Sequence, residues 1–125
     1  MRARLCILLL FSLLVSACVQ VPVYKKDGYA LVKSSHAMVN LNGVDMGPTY
    51  RIDIKEGQNT LVVIYPSYRY KYRCTFVWRA AAETAYEITD QEKQYPLTLY
   101  RWVRRNALWA VRLDPVDPER CDRQG

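Results

Sequence analysis

The residues best suited to catalysis in this 125-residue chain lie around its single histidine. His36 follows Ser34 and Ser35, and a serine activated by a histidine is the nucleophile of many hydrolases. Neighbouring side chains on a strand point to opposite faces, however, and the chain lacks a nucleophile framed by glycines at a sharp turn. We therefore predict a histidine of the surface or of a turn, no catalytic residue and no enzymatic activity.

Acidic side chains near the C-terminus could supply oxygen ligands to calcium. These residues are Asp114, Asp117, Glu119 and Asp122. Prolines interrupt the series, and no glycine stands at the spacing that a calcium-binding loop requires. The sequence therefore predicts no metal site.

Basic and aromatic residues alternate from Tyr68 to Arg79, where the sequence reads YRYKYRCTFVWR. Successive side chains of a strand point to opposite faces, about 3.3 Å apart along the chain. The even-numbered residues from Tyr68 to Trp78 would then form a face at the core or its rim. The other face would carry the candidate binding residues Arg69, Lys71, Arg73 and Arg79. These cations either contact successive anionic groups of a polymer or membrane, or form a solvated strand face whose charge discourages edge-to-edge aggregation.

A second group of candidate binding residues follows further along the chain. Trp102, Arg104 and Arg105 lie in the run YRWVRR, and Trp109 comes shortly after it. Tryptophan, tyrosine and arginine are the residue types enriched where binding energy concentrates in protein interfaces. The other interpretation places the tryptophans in the core and turns the arginines to solvent.

The first 18 residues have the parts of an export signal. Met1–Arg4 is cationic, Leu5–Val15 is apolar but short for a membrane span, and small residues follow. The segment Val15-Ser16-Ala17-Cys18 resembles the lipobox of bacterial lipoproteins, in which a branched apolar residue and two small residues precede a cysteine. An uncleaved anchor helix and a soluble export signal that ends at a cysteine are the alternatives.

The lipobox resemblance implies a processed protein on a membrane. A signal peptide of residues 1–17 would be removed, and Cys18 would receive a thioether-linked diacylglycerol and an acyl group on its amine. Residues 18–28 would be the lipidated cysteine and a tether, and we predict no cofactor beyond this covalent lipid. Val19 after the cysteine resembles outer-membrane lipoproteins of enteric bacteria, so we expect the periplasmic face of the bacterial outer membrane.

The net charge of the processed chain limits the classes of partner that we expect it to bind. Loss of residues 1–17 removes Arg2 and Arg4 but no acid, which leaves 16 basic and 12 acidic residues and a net charge of +4. An exported protein rarely meets nucleic acid. We therefore expect the membrane, through the lipid anchor, and an envelope protein partner or the anionic groups of peptidoglycan or lipopolysaccharide.

The cysteines predict one disulfide. Cys6 would leave with the signal peptide and Cys18 would be acylated, so Cys74 and Cys121 remain as a pair in an oxidising compartment. A zinc site is the alternative, but only one histidine could assist and the paired spacing of zinc ligands is missing.

The prolines of Asp114–Pro118 cannot continue a ladder of backbone hydrogen bonds, because proline lacks the N–H donor. We therefore expect a tail that crosses the surface as far as Cys121, where the disulfide would hold it.

The pattern from residue 29 onward predicts an all-β domain. Asn42-Gly43 is typical of a two-residue hairpin turn, residues 50–55 alternate between apolar and charged types, and Leu61–Tyr65 suits a strand covered on both faces. Leu97–Arg104 and Ala107–Leu113 favour strands, although their composition also permits a helix. We predict a small antiparallel β-sandwich of about seven or eight short strands.

The stretch Val39–Tyr65, VNLNGVDMGPTYRIDIKEGQNTLVVIY, resembles the PEGA domain, a small β-sandwich module of bacterial envelope proteins. Three glycines fall at the turn positions of that domain, and they are Gly43, Gly47 and Gly57. Ser34–Ala37 replaces its Pro-Glu-Gly-Ala signature, and other small sandwiches or open barrels have similar turns. The resemblance implies an extracytoplasmic interaction module over residues 29–125 with no catalytic residues.

Two functional hypotheses follow from these observations. The first is a non-enzymatic outer-membrane lipoprotein that acts as a protein-interaction or accessory module of the cell envelope. The alternative is a lipoprotein that binds peptidoglycan or lipopolysaccharide through the basic strand face, which predicts salt-sensitive binding that charge reversal abolishes.

Acylation of Cys18 is directly testable. We expect the wild-type chain to take up an alkynyl fatty acid in growing bacteria, because the lipobox resemblance implies acylation of Cys18. Several acyl chains on one cysteine would give stable anchoring. Cys18→Ala should lose the label, whereas Cys6→Ala should keep it. An unlabelled wild-type chain, or label that survives in Cys18→Ala, would contradict the lipoprotein assignment.

Overall fold

The computed structural model of the chain describes residues 26–91, 96–106 and 108–124. The predicted signal peptide, Cys18 and most of the predicted tether lie outside these residues. The described residues form eight β-strands and no helix that could cross a membrane. The strands are β1 (Tyr29–Leu41), β2 (Val44–Lys55), β3 (Gly57–Pro66), β4 (Lys71–Ala80), β5 (Ala85–Asp90), β6 (Leu97–Arg104), β7 (Ala110–Val116) and β8 (Arg120–Gln124). The prediction of an all-β domain is confirmed, and residues 97–104 and 110–116 are strands rather than a helix.

One sheet joins the eight strands in the order β7-β6-β5-β1-β3-β4-β8, and β2 pairs with the opposite edge of β1. Every ladder between these strands is antiparallel except the parallel one between β1 and β5. Residues 31–34 of β1 pair with β5, whereas residues 38–41 pair with β3. β1 is therefore shared by the two halves of the sheet.

The sheet curls so that its two halves face each other as the layers of a small sandwich. The register of β1 shifts between Lys33 and Met38, where irregular pairing bends a strand and increases its twist. Trp78 of β4 and Tyr86 of β5 meet edge to face with their ring centroids 5.8 Å apart. β4 and β5 are not neighbours in the sheet order, so this contact joins the two halves across the core.

The core fills the space between the two halves. Most of the strands contribute to it, because alternate side chains of each strand point inward. Its largest fully buried side chains include Met38, Ile54, Leu61, Phe76, Ile88 and Leu99. Leu61, Val62 and Val63 are all buried, as expected of a strand covered on both faces, whereas Ile64 and Tyr65 are half-buried.

The first hairpin confirms the prediction from Asn42-Gly43. Asn42 has a φ of 52° and Gly43 a φ of 85°, as the two central residues of a type I′ turn require. The Asn42 side chain also reaches β3, where its Oδ1 accepts a 2.7 Å hydrogen bond from Thr60 N and its Nδ2 donates to Asn59 Oδ1 at 2.9 Å. The hairpin tip is thereby fastened to the next strand.

The predicted face from Tyr68 to Trp78 is only partly correct. β4 begins at Lys71, and within it Cys74, Phe76 and Trp78 are buried as expected. Tyr68 and Tyr70 precede the strand and are exposed. The alternation of aromatic and basic residues continues in the sequence through a turn, so it does not mark where the strand starts.

The disulfide prediction is confirmed, but the tail differs from the expected surface crossing. Cys74 and Cys121 stand directly opposite each other in the β4–β8 ladder, with their Cα atoms 4.0 Å apart and a bond between their sulfurs. Residues 114–116 continue β7, and residues 120–124 form β8. Pro115 is tolerated because it lies at a register shift of the β6–β7 ladder, and proline occurs at such bulges and on edge strands.

Reduction of the disulfide should destabilise the domain strongly. The bridge closes a loop of 47 residues, and in the chain-entropy treatment this contributes about 4 kcal/mol to the free energy of unfolding. Urea denaturation with and without reductant measures the difference, and a variant with Cys74→Ala and Cys121→Ala should not respond to reductant. Two free thiols in the unreduced protein, detected by alkylation and mass, would contradict the bridge.

Candidate functional site

The basic residues of β4 share their face of the sheet with an acid. Lys71 is exposed and lies opposite Gln124, whereas Arg73 is half-buried and lies opposite Asp122. Asp122 also forms an ion pair with Arg120 at 3.2 Å. This part of the strand face therefore carries both signs of charge.

The four predicted cations do not form one row. Arg69 belongs to the turn before β4, and Arg79 lies about 20 Å along the strand from Arg73. Thr75 is buried and Val77 is half-buried between Arg73 and Arg79. The four candidate cations therefore form no continuous stripe, and they are divided between the two ends of the strand.

The cations at the start of β4 belong to a cluster that also contains two exposed tyrosines. We call this cluster the basic aromatic turn, and it consists of Tyr68, Arg69, Tyr70, Lys71 and Arg123. The Tyr68 side chain is 98% exposed, and the Arg123 guanidinium lies 4.2 Å from the centroid of the Tyr70 ring. The cluster thus combines aromatic surface with three cations, one each from β4, β8 and the turn between β3 and β4.

Ser67 fixes the conformation of the basic aromatic turn. Its backbone N donates a 2.8 Å hydrogen bond to Tyr70 O, and its hydroxyl donates to the same oxygen at 3.0 Å. Pro66 and Lys71 then close the turn as the last pair of the β3–β4 ladder. The turn is therefore held in one conformation by the chain itself, which lowers the entropy cost of binding through it.

Trp102 lies on the outer face of β6, away from the core. Its indole ring is half-buried and stacks with the Arg112 guanidinium at 5.1 Å from the ring centroid. Arg112 Nη2 in turn lies 2.5 Å from Glu87 Oε1. The interpretation that placed this tryptophan in the core is therefore wrong, and its ring is already covered in part by a cation of β7.

Arg104 and Arg105 lie instead at the exposed tip between β6 and β7. We call Arg104, Arg105, Asn106, Leu108 and Trp109 the apolar tip. Leu108 is 76% exposed and Trp109 is 50% exposed. Asn106 Oδ1 accepts hydrogen bonds from Leu108 N at 2.8 Å and from Trp109 N at 3.2 Å, which fixes the loop with both side chains outward.

His36 joins β1 to the end of β5. Its Nε2 lies 2.5 Å from Asp90 Oδ1, and its ring meets the Tyr65 ring edge to face at 5.1 Å. Ser34 Oγ accepts a hydrogen bond from His36 N at 3.1 Å, and Ser35 Oγ lies 3.5 Å from Ile88 O. Both serine hydroxyls thus contact backbone groups, and the histidine acts as a link between two strands.

Two of the four acidic residues near the C-terminus pair with arginines. Asp114 Oδ2 accepts a 2.7 Å hydrogen bond from Arg101 Nε, and Asp122 pairs with Arg120. Across residues 26–91, 96–106 and 108–124, no group of three or more His, Cys, Asp or Glu side chains could hold a metal ion.

A cavity of about 360 Å³ lies between the end of β4, β5 and β7. Sequence patterns did not predict this cavity, because its walls come from strands that are distant along the chain. Its lining includes Trp78, Arg79, Tyr86, Arg101, Asp114 and Val116. Trp78 Nε1 is buried without a hydrogen-bond partner in the described part of the chain. Arg79, predicted as part of the strand stripe, lies at this cavity instead.

No family model, curated protein or solved structure matches this chain. The resemblances to bacterial lipoproteins and to the PEGA domain therefore depend on the sequence stretches that carry them.

Reversal of charge in the basic aromatic turn should leave stability almost unchanged. We expect Arg69→Glu and Lys71→Glu each to shift the free energy of unfolding by no more than about 0.5 kcal/mol, because both side chains are exposed. Tyr86→Phe should cost about 1 kcal/mol, since Tyr86 Oη accepts a hydrogen bond from Ala81 N. Urea denaturation compares the variants. A larger loss in the charge reversals than in Tyr86→Phe would show that the cations serve the fold.

Proposed function

We propose that the chain is a non-enzymatic lipoprotein of the bacterial outer membrane whose domain acts as a protein-interaction or accessory module in the periplasm. The lipobox-like segment that ends at Cys18 supports the anchor. The bond between Cys74 and Cys121 supports an oxidising compartment, where such bridges form and persist.

The observation that carries the proposal is the basic aromatic turn. Aromatic and arginine side chains dominate binding energy at protein interfaces, and here they protrude on a turn that Ser67 holds in place. A rigid tyrosine such as Tyr68 offers a large contact area at a small loss of conformational entropy. Arg69, Lys71 and Arg123 direct this surface toward an acidic face of a partner.

A protein partner fits this surface better than a charged polymer. A regular anionic polymer binds best to a row of cations that no acid interrupts. On β4, however, Arg73 lies opposite Asp122, and Arg79 lies at the other end of the strand. The basic aromatic turn is compact and irregular, as a site for one complementary protein surface would be. Peptidoglycan or lipopolysaccharide binding through the strand face remains the alternative that the experiment below distinguishes.

Site-specific photocrosslinking tests the proposal. A photoreactive phenylalanine analogue at Tyr68 should give a discrete protein adduct in the bacterial envelope, because this side chain would lie in the interface. The same analogue at Tyr50, an exposed residue of β2, is the matched control and should give no such adduct. Arg69→Glu with Lys71→Glu should abolish the adduct at position 68.

The alternative predicts a different result. Salt-sensitive pelleting of the protein with peptidoglycan sacculi, lost in the Arg69→Glu, Lys71→Glu and Arg73→Glu variant, would favour polymer binding. Equal adducts at positions 68 and 50, or none at either, would contradict a protein interface at the basic aromatic turn.

A further inference from the structure

We infer that the apolar tip is a second membrane contact, which seats Leu108 and Trp109 among the phospholipid headgroups of the leaflet that holds the lipid anchor. This inference deepens the proposed function, because it depends on a domain tethered close to a membrane. It assigns a lipid partner to a loop whose exposed apolar side chains have no role in the core.

The strand register places the apolar tip at the end of the domain where the chain enters it. Leu31 of β1 pairs with Ala85 of β5, and Ala85 pairs with Trp102 of β6. Two residues further toward this end, β1 starts at Tyr29 and β6 ends at Arg104. The tip therefore extends past the first residue of β1, about 10 Å to the side across two strand spacings.

The preceding residues are fixed at the same end. Gly28 O accepts a 2.9 Å hydrogen bond from Glu56 N, and Tyr29 O accepts a 2.8 Å bond from Glu83 N. The chain from Cys18 to Tyr29 can reach at most about 40 Å when fully extended. A lipid on Cys18 would thus confine this end of the domain to the neighbourhood of the bilayer surface.

The chemistry of the apolar tip suits a membrane interface. Tryptophan concentrates at the headgroup level because its ring is apolar and its N–H is polar, and leucine inserts into the acyl boundary. Arg104 and Arg105 flank these side chains, and the sequence from 104 to 109 contains no acid. Arginines at this depth pair with lipid phosphates while their stems lie along the apolar region.

The conformation of the tip is set before any contact. Arg105 N donates a 3.2 Å hydrogen bond to Trp109 O, and Asn106 Oδ1 accepts from the two following residues that the structure describes. Arg104 Nε donates to Asn106 O at 3.1 Å. These bonds satisfy backbone groups of the loop internally, which lowers the cost of moving the loop into a less polar environment.

Quenching of tryptophan fluorescence by brominated lipid tests the inference on the full chain. The protein is produced in bacteria, purified from membranes and reconstituted into vesicles of phosphatidylglycerol and brominated phosphatidylcholine. We expect quenching of a fluorescence component that Trp109→Phe lacks and Trp102→Phe retains, because Trp102 lies on the outer face of β6 under Arg112. Unbrominated vesicles provide the reference signal.

Charge reversal provides a second readout. Arg104→Glu with Arg105→Glu should weaken the Trp109 quenching, since each arginine near an anionic surface contributes roughly a factor of five to binding. Lys33→Glu with Arg51→Glu, two exposed cations that face each other in the β1–β2 ladder, is the matched control and should leave the quenching unchanged. Equal quenching in all variants, or loss in the control pair alone, would overturn the inference.

Mass spectrometry of the peptide that contains Cys18, from the same preparation, shows whether this cysteine is acylated. This result distinguishes failure of the inference from failure of the proposed function. An acylated chain without Trp109 quenching overturns the tip contact and leaves the lipoprotein assignment in place. An unacylated chain that floats with the vesicles and shows Trp109 quenching supports the tip and overturns the anchor. An unacylated chain that stays in solution without quenching overturns both.

Discussion

The bend in β1 is the constraint on which the rest of the structure depends. Its first residues pair with β5 and its last residues pair with β3, so this one strand belongs to both halves of the sheet. The register shifts after Lys33 let the strand turn from one half to the other. Without that turn Trp78 and Tyr86 could not meet across the core, and the sheet would leave its apolar face open to water.

Local signals in the sequence predicted the parts of the fold that short segments determine. Asn42-Gly43 predicted a hairpin turn, and the two cysteines outside the predicted signal and lipidation site predicted the disulfide between Cys74 and Cys121. The parallel pairing of β1 with β5 joins residues more than fifty positions apart, and periodicity carries no information about such partners. β8 was missed because the prolines before it suggested irregular chain, although an end strand tolerates proline.

The candidate surfaces were predicted in composition but not in position. The sequence identified Arg69, Lys71 and the group from Trp102 to Arg105, yet it assigned Tyr68 and Tyr70 to the core side of a strand. Ser67 and Tyr70 close a turn there, and alternation of residue types cannot distinguish a turn from a strand. Arg123 joined the cluster through the β4–β8 ladder, which no spacing in the sequence indicates.

The two exposed clusters lie at different ends of the domain, which gives the proposed anchor a direction. The apolar tip extends beside the start of β1. Gly57, the first residue of β3, also lies near the start of β1, because Glu56 N donates a hydrogen bond to Gly28 O. The basic aromatic turn follows the last residue of β3, about 30 Å further along that strand. One end would face the bilayer and the other the periplasm. The intact mass of the protein isolated from bacterial outer membranes tests this account most directly. We predict a chain that begins at Cys18, carries a diacylglycerol and an amide-linked acyl group there, and contains no free thiol. A chain that begins elsewhere, or whose Cys18 is unmodified, would contradict it.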